Sequence, residues 1–343
     1  MNQLRTNLVI PAKAGIHSLT EWIPAKVGMT PFRFPLAILF LLLFILPACS
    51  GPLADGCPPA CVGLNLRQRD LEGADLSGAN FSGAVLAGSN MREARLEGVD
   101  FSGAHLEGVD FTGADLRDAR LMGAHISGGN FTNTILTGAD FSGATMDGVV
   151  LTRLDLREVN LTAVILDNAR LIGADMRGMH LEGARLGGAN LSGANLVGAN
   201  LSGADLHQTD PSGPHTILNG SNLTAANMAG ANLDGADMRG VILDNANLRG
   251  THLGANLWGA YMMGTDLRNA DLTHASLEGV RLDNANLRNA ILTDAQLGGA
   301  ALIDADLRGV VDMETANLNG TVYNNETQWP NGSPPEGARY IGE

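Results

Sequence analysis

An apolar residue recurs at every fifth position: from Leu66 to Leu206, each of these central positions holds Leu, Phe, Met or Ile. The residue two before it, which we call the small inward position, is usually Ala, and the residue two after it is usually Gly. A period of five matches neither the 3.6 of an α-helix nor the 2 of a β-strand, so the spacing predicts a repeat solenoid. The repeats fill nearly all of the chain after residue 63, which leaves little room for a catalytic domain.

Successive units show the repeat directly: Arg69-Asp-Leu-Glu-Gly73 is followed by Ala74-Asp-Leu-Ser-Gly78, and the pattern returns in Ala189-Asn-Leu-Ser-Gly193. From about Leu64 to Tyr323 the chain resembles the pentapeptide-repeat family, whose pattern is A(D/N)LXX. The resemblance implies an all-β fold, a right-handed quadrilateral parallel β-helix over residues 64–323, with four repeats per coil and about twelve coils. It leaves the function open, because members of this family do different things.

The residue types make physical sense in such a coil. The central and small inward residues point into the coil, as alternating side chains do, and Asp, Asn, Ser, Thr and Arg face outward. The fifth position turns a corner, where Gly is favoured and Asn or Asp is next best. The predicted corner substitutes are Asp118, Asn133, Asn168, Asn245, Asn284 and Asn289. Because residues twenty apart stack, we also predict an aromatic-rich core, with Phe81, Phe101 and Phe141 on one side and Phe111 and Phe131 on the opposite side.

One coil breaks the pattern at all four of its small inward positions. These positions hold Val149, Leu154, Val159 and Val164, and Gly is missing from the corners. The extra volume predicts a wider or distorted coil. Two interpretations stay open: tolerated drift of the repeat, and a bulge that binds a partner.

A second break follows Leu206, and the register is regained at Leu223. Residues 207–220 contain two prolines and two glycines and add two residues beyond whole repeats, which predicts a protruding loop. Loops on rigid scaffolds often carry function, so we expect a partner-binding element here. Its candidate residues are His207, Asp210, Pro211 and His215.

Smaller irregularities lie near the C-terminus. The segment Thr251-His-Leu-Gly254 has only four residues, which predicts a tightened coil, and a one-residue insertion lies near Val310 and Val311. Residues 324–343 include Trp329-Pro-Asn-Gly332 and resemble the tails that close many family members. We expect this tail to cover the open edge of the last coil. The family resemblance also allows a homodimer through an end coil.

The front of the chain predicts export. Leu36–Pro47 is an unbroken apolar run, too short to span a membrane comfortably and typical of the apolar core of a secretory signal. The following Leu46-Pro-Ala-Cys49 resembles a bacterial lipobox, which implies lipid on Cys49 and, because Ser50 follows, an outer-membrane lipoprotein. Residues 1–48 are then a leader. A duplicated segment within residues 1–28 indicates translated non-coding sequence and a true start at Met29, with the signal peptide over 29–48.

Two further cysteines, Cys57 and Cys61, lie in residues 49–63, which we interpret as a linker or N-terminal cap. An oxidising compartment allows a disulfide between them, and free thiols stay open as the alternative. A metal site is disfavoured, because no other Cys and no nearby His completes four ligands. Redox catalysis is disfavoured, because the spacing is Cys-x-x-x-Cys and no βαβ pattern surrounds it.

The charge balance disfavours direct nucleic-acid binding. The chain has 22 Lys+Arg and 36 Asp+Glu, and residues 1–48 hold four of the basic and one of the acidic residues, so the remainder has 18 against 35 and a net charge of −17. Phosphate neutralisation needs a basic surface instead. An acidic rod could imitate DNA, as some pentapeptide-repeat proteins that protect gyrase are thought to do. That alternative requires a cytoplasmic chain with a leader that does not work.

One cationic feature and one histidine pair are candidates for binding. Allowing for the short repeat, a column of arginines is expected with one member per coil: Arg249, Arg268, Arg288 and Arg308. This column is either a solvated stripe or a dock for an anionic partner such as a lipid headgroup or a sugar polymer. His105 and His125 are also one coil apart and outward, but no third metal ligand accompanies them.

No nucleophile with a base, phosphate loop, zinc signature or pair of catalytic carboxylates is present, so we predict no enzyme, no cofactor and no metal site. The predicted function is a non-enzymatic, lipid-anchored envelope scaffold or protein-binding solenoid for a protein or other envelope component. The alternative is a DNA-mimicking modulator of a type II topoisomerase in the cytoplasm.

Overall fold

The computed structural model describes residues 61–207 and 214–342. The backbone repeats along four sides, and each residue before a central position pairs in parallel with its equivalent one coil later, an arrangement we call a rung. The first rungs of the four sides are Asn65 with Val85, Asp70 with Asn90, Asp75 with Arg95, and Asn80 with Asp100. Within the described residues, the first side has thirteen rung residues from Asn65 to Val311, close to the predicted dozen coils.

Most rungs are one residue long, because each side contributes a single ladder residue before the chain turns again. The amide of Leu66 donates to the carbonyl of Val85 at 2.7 Å, and the amide of Val85 donates back to Leu64 at 2.8 Å. Two longer strands exist in the described part of the chain, β1 (Val322–Tyr323) and β2 (Arg339–Tyr340). They pair in parallel, with Val322 opposite Arg339 and Tyr323 opposite Tyr340.

The predicted aromatic core is confirmed. The five phenylalanines named in that prediction are all fully buried. Phe81 stacks on Phe101 with ring centroids 5.4 Å apart, and Phe111 stacks on Phe131 at 4.9 Å. The two stacks meet edge-on through Phe101 and Phe111 at 6.3 Å, a geometry that aromatic pairs prefer. Leu, Met and Ala columns continue this core toward the C-terminus.

The corners are β-turns, as in the bond from the Ala74 amide to the Leu71 carbonyl at 3.1 Å. The third turn residue has positive φ, 64° at Gly73, which explains why Gly is usual there. All six predicted substitutes adopt φ between 56° and 59°: Asp118, Asn133, Asn168, Asn245, Asn284 and Asn289. Arg153 (59°) and Ala163 (54°) also do so without the local hydrogen bonds that favour Asn, and both lie in the coil with bulky inward residues.

That coil is distorted, in agreement with its residue sizes. Two rungs are absent within the described residues, Ile135 with Asp155 and Asn160 with His180. Both lie beside inward residues that reach solvent slightly, since Leu154 and Val159 are each 7% exposed. The amide of Gly138 bonds to Glu158 at 3.1 Å, so the turn beside the first absent rung is shifted by one residue.

The loop after Leu206 is shorter than the predicted 207–220. Ile217 already pairs with Asn190, and Leu218 is fully buried, so the ladder resumes one repeat before Leu223. Thr216 anchors this return: its hydroxyl donates to the Leu186 carbonyl at 3.1 Å and accepts from the Gly188 amide at 2.9 Å. A Thr in place of the usual inward Ala concealed this repeat in the sequence.

The four-residue repeat tightens its corner as expected, with the Ala255 amide bonding to the Leu253 carbonyl at 2.7 Å. The later insertion falls between Val311 and Asn317, and a second one, between Val322 and Gln328, was not predicted. The tail then folds back so that β2 lies beside β1. Tyr323 contacts both Trp329 and Tyr340, with ring centroids 5.4 and 5.7 Å away.

Candidate functional site

The predicted arginine column runs down the fourth side, the side that begins at Asn80. Its members follow Asn247, Asp266, Asn286 and Asp306, which are consecutive rung residues. Arg268 donates to Asp266 through Nε at 2.8 Å, and Arg308 donates to Asp306 at 2.9 Å. A second guanidinium nitrogen of each Arg donates to the other carboxylate oxygen. Both are therefore bidentate ion pairs, which are stronger than hydrogen bonds between neutral groups.

The other two members of the column have different neighbours. Arg249 and Arg288 follow Asn247 and Asn286, and neither guanidinium forms an ion pair with any described residue. Because two rungs separate them, their guanidinium groups repeat at roughly 10 Å. The hydrogen bond from Arg268 and the nearby charge of Arg249 hold the pKa of Asp266 below its usual value. The column therefore alternates neutralised and available cations.

The same Arg–Asp fork recurs on other sides wherever the repeat reads Asp-x-Arg, with Leu or Met as the central residue x. It joins Arg117 to Asp115, Arg157 to Asp155, Arg177 to Asp175 and Arg239 to Asp237. In each case the hydrogen bond from Arg is the largest cause that lowers the pKa of the Asp. These forks break up the negative surface, and the tripeptide itself is the sequence signal that would have revealed them.

The candidate loop residues are only partly placed. Asp210 and Pro211 lie outside the described residues. His207 accompanies Asp205, whose carboxylate accepts the His207 amide at 3.3 Å and also contacts its Nδ1. His215 is exposed and lies near Gly235, on the next coil. The structure thus keeps His207 and His215 on the flanks of the loop, close to the corner between the first and second sides.

A shallow depression of about 410 Å³ lies beside this loop. Gly235 and Gly254 form its corner, and His215 and His274 border it above and below. The part of the depression on the second side of the rod is lined by Asp237, Arg239, Asn256 and Ser276. The recess follows from the four-residue repeat, which draws the corner inward at Gly254.

Two exposed aromatic residues near this depression were missed by the sequence analysis. Trp258 is 61% exposed and Tyr261 is 45% exposed. Trp258 directly follows a central residue, and Tyr261 is a rung residue just past the next corner. Both positions face outward in most repeats, so the register would have indicated their exposure.

The two stacked histidines are confirmed as neighbours, with His105 and His125 ring centroids 4.9 Å apart. Nδ1 of His105 lies 3.1 Å from the Glu107 carboxylate. Burial raises the pKa of Glu107, but hydrogen bonds and the two imidazoles outweigh it and lower the pKa overall. In the described part of the chain, no group of His, Cys, Asp and Glu is arranged to hold a metal ion.

The predictions for the N-terminal segment concern residues that lie mostly outside the described part of the chain. Cys49 and Cys57 belong to that part, so lipidation and the disulfide stay predictions. Cys61 is the first described residue and is fully buried. Among the residues described here, no helix has the length and apolar character needed to cross a membrane.

Comparison with known proteins identifies the repeat. The family model for pentapeptide repeats matches overlapping stretches across residues 61–210 and 216–320. HetL, a pentapeptide repeat protein involved in heterocyst differentiation regulation from the cyanobacterium Nostoc sp. strain PCC 7120, is 31% identical over 79% of this chain and 93% of its own, with a TM-score of 0.23. Rfr23 from the cyanobacterium Cyanothece 51142 is 31% identical over 42% of this chain and 90% of its own, with a TM-score of 0.22.

QnrB1, a plasmid-mediated fluoroquinolone resistance protein, is 21% identical over 52% of this chain and 90% of its own, with a TM-score of 0.29. No curated protein sequence matched the chain. The repeats matched by the family model coincide with the four-sided coil described above. The chain belongs to the pentapeptide-repeat family, and its fold is the right-handed quadrilateral parallel β-helix of that family.

Proposed function

We propose that this protein is a non-enzymatic scaffold of the cell envelope, anchored by lipid on Cys49, whose rod presents polar side chains to a protein or another envelope component. Pentapeptide-repeat proteins are generally structural or binding scaffolds. The observation that carries the proposal is the continuous coil: apolar columns fill it from Leu76 to Leu318. The groups available to a partner are therefore the outward side chains, held in register by the backbone ladder.

Two surfaces offer contacts within this proposal. The flanks of the 207–216 loop, with His207 and His215, rise from a rigid scaffold, a common location for recognition. The available cations Arg249 and Arg288 suit an anionic group of an envelope partner. A homodimer through an end coil stays a prediction, which sedimentation at two protein concentrations would test.

The anchor is supported by sequence alone, through the apolar run Leu36–Pro47 and the adjoining Cys49. The surface of the rod favours it over the cytoplasmic DNA mimic. A DNA mimic needs a broadly negative face, whereas forks such as Arg117–Asp115 and Arg239–Asp237 place positive charge on the same sides as the carboxylates.

The test is fractionation of cells that express the native gene, followed by mass spectrometry of the mature N-terminus. We expect a membrane-bound chain that begins at Cys49 and carries acyl groups. The Cys49→Ala variant should lose the acylated form, and Cys57→Ala is the matched control that should keep it.

An unmodified chain in the cytosol would contradict the proposal. Inhibition or protection of gyrase by that chain in a supercoiling assay would then establish the alternative. Sequence coverage of residues 1–28 in the native precursor would separately disprove the predicted start at Met29.

A further inference from the structure

The second side of the rod carries an unusual combination of groups around Trp258. Of the two tryptophans that the structure describes, Trp329 is buried in the C-terminal cap, whereas Trp258 is 61% exposed. The amide of Trp258 donates to Asn256 Oδ1 at 3.2 Å, which fixes the backbone beneath the indole. Tyr261 lies just past the corner and is 45% exposed. Two exposed aromatic side chains, which we call the aromatic platform, thus project from a surface that is otherwise polar.

The depression at Gly254 adjoins this platform. Asn256 and Arg239 line the depression. Trp258 holds the position equivalent to Arg239 one coil later, and the Gly240 amide donates to the Trp258 carbonyl at 3.0 Å. The volume of about 410 Å³ is within the range of small-molecule sites.

The polar groups beside the platform are held in place by each other. Arg239 donates to both oxygens of Asp237, at 2.8 and 2.6 Å. Ser276 donates to Glu278 at 2.5 Å, and His274 lies 3.8 Å from Asp294. The site therefore offers planar donors and acceptors, with the charge of Arg239 neutralised by Asp237, and little ordering is needed before a ligand binds.

We propose that Trp258 and the adjoining depression form a binding site for a neutral oligosaccharide segment. A pyranose ring has an apolar C–H face that packs on an indole, and a rim of hydroxyl groups that planar side chains such as Asn256, Asp237 and Arg239 can pair with. This inference goes beyond the envelope scaffold and does not depend on the lipid anchor.

The surroundings fit a sugar better than a protein or an anion. A stable protein interface needs about 800 Å² per partner with an apolar centre, whereas the large exposed apolar side chains here are Trp258 and Tyr261. Asp237 already neutralises Arg239, so no free cation of the depression awaits an acidic group. Neutral hydroxyl groups match donors and acceptors that are balanced in this way.

The test is a titration of the purified full-length protein with four neutral probes: maltohexaose, cellohexaose, xylohexaose and chitohexaose. Trp258 is exposed and Trp329 is buried, and the third tryptophan, Trp22, lies in the predicted leader. The tryptophan emission change that is present in the unaltered protein and lost in Trp258→Ala therefore reports binding at Trp258. We expect saturable change with at least one probe and about a tenfold rise in Kd, measured by calorimetry, for Trp258→Ala. Unfolding midpoints and circular dichroism establish that each variant is folded.

Two matched variants sharpen the result. Arg239→Ala removes a fork at the site, and Arg308→Ala removes the same kind of fork on the fourth side. Only Arg239→Ala should weaken binding of the probe.

Three outcomes would overturn the proposal. One is the absence of binding by all four probes. Another is equal affinity in Trp258→Ala and in the unaltered protein. The third is a concentration-dependent self-association that Trp258→Ala abolishes while no probe binds, which would assign Trp258 to a contact between protein chains.

Discussion

The stretch from Phe81 to Phe141 and the coil from Val149 to Val164 have the same repeat length and the same fold, yet the rungs within the first are all kept, whereas both absent rungs have a partner in the second, Asp155 or Asn160. In the first stretch, most small inward positions hold Ala and the corners are mostly Gly. In the second, all four inward positions are bulky, but only two sides open. Val149 and Val164 leave their rungs intact, whereas Leu154 and Val159 lie beside the absent ones.

The difference lies in what stacks on each inward residue. Among the inward residues that stack one coil apart, Leu154 lies next to Thr134 and Val159 lies next to Met179. Two side chains larger than Ala or Ser therefore meet beside each absent rung. Val149 and Val164 have Ala or Gly above and below, as does Val99 in the regular stretch. One bulky inward residue is therefore accommodated, whereas two in succession separate the coils.

The largest expected effect comes from the regular core. Phe111→Ala should destabilise the protein by about 3–5 kcal/mol, because it removes a stacked, fully buried ring. Leu161→Ala, beside an absent rung, should cost less than a buried Leu in an intact column, since its surroundings can collapse. Chemical denaturation measures both, and a larger loss for Leu161→Ala than for Phe111→Ala would refute the comparison.

A new pair of bulky residues should open a rung in the regular stretch. Ala119→Leu places Leu directly after Val99 in its column and should cost about 1–3 kcal/mol by overpacking. The amide of Phe101, which bonds to Arg120 at 2.7 Å, should then exchange faster. Ala104→Leu is the matched control, because Ala84 and Ala124 flank it and its rungs should stay closed.

Removal of one member of a bulky pair should close a rung. Met179→Ala leaves Val159 between two alanines, so Asn160 should pair with His180 again. The new hydrogen bonds offset part of the lost burial, and the net destabilisation should lie well below the roughly 2–5 kcal/mol that Met→Ala usually costs. A full-sized loss in denaturation, with the Leu161 amide still unprotected, would show that stacking does not govern the rung.

The corners of the irregular coil should be improvable. Ala163 is exposed with φ of 54°, so Ala163→Gly should stabilise the protein by up to about 1 kcal/mol. Ala169→Gly is the matched control: Ala169 is buried at an inward position, and its replacement should destabilise. Thermal unfolding of the two variants should move in opposite directions, and a shift of the same sign would count against the argument.

The smallest effect concerns the forks. The hydrogen bond from Arg308 lowers the pKa of Asp306 below its usual 3.8. The Arg308–Asp306 fork therefore stabilises the folded protein above pH 3.8, and this stabilisation is lost as the pH falls through the lowered pKa. Asp306→Asn should weaken the acid dependence of the unfolding temperature, and Asn286→Asp should strengthen it by creating a fork with Arg288. Identical pH profiles for the two variants would show that the forks add nothing measurable.

The period of five was sufficient to predict the coil, the phenylalanine stacks and the six non-glycine corners. Each of these depends on local residue type and on the stacking of residues twenty apart. The outcome at Leu154 and Val159 depends on the volumes of Thr134 and Met179 one coil away, which a pattern read along the chain does not weigh. The end of the loop was misplaced because Thr216 satisfies its buried hydroxyl through Leu186 and Gly188, a contact visible only in three dimensions. The depression beside Trp258 likewise arises from the shortened corner of another repeat.

Residue-resolved amide hydrogen exchange measures whether two successive bulky inward residues separate the coils. The amides of Leu136 and Leu161 have no backbone partner among the described residues, whereas their column neighbours Leu116 and Phe141 bond at 2.9 Å. The account predicts that Leu136 and Leu161 exchange markedly faster than Leu116 and Phe141 in the unaltered protein. Equal protection of all four amides would mean that the rungs are closed and that successive bulky inward residues do not separate the coils.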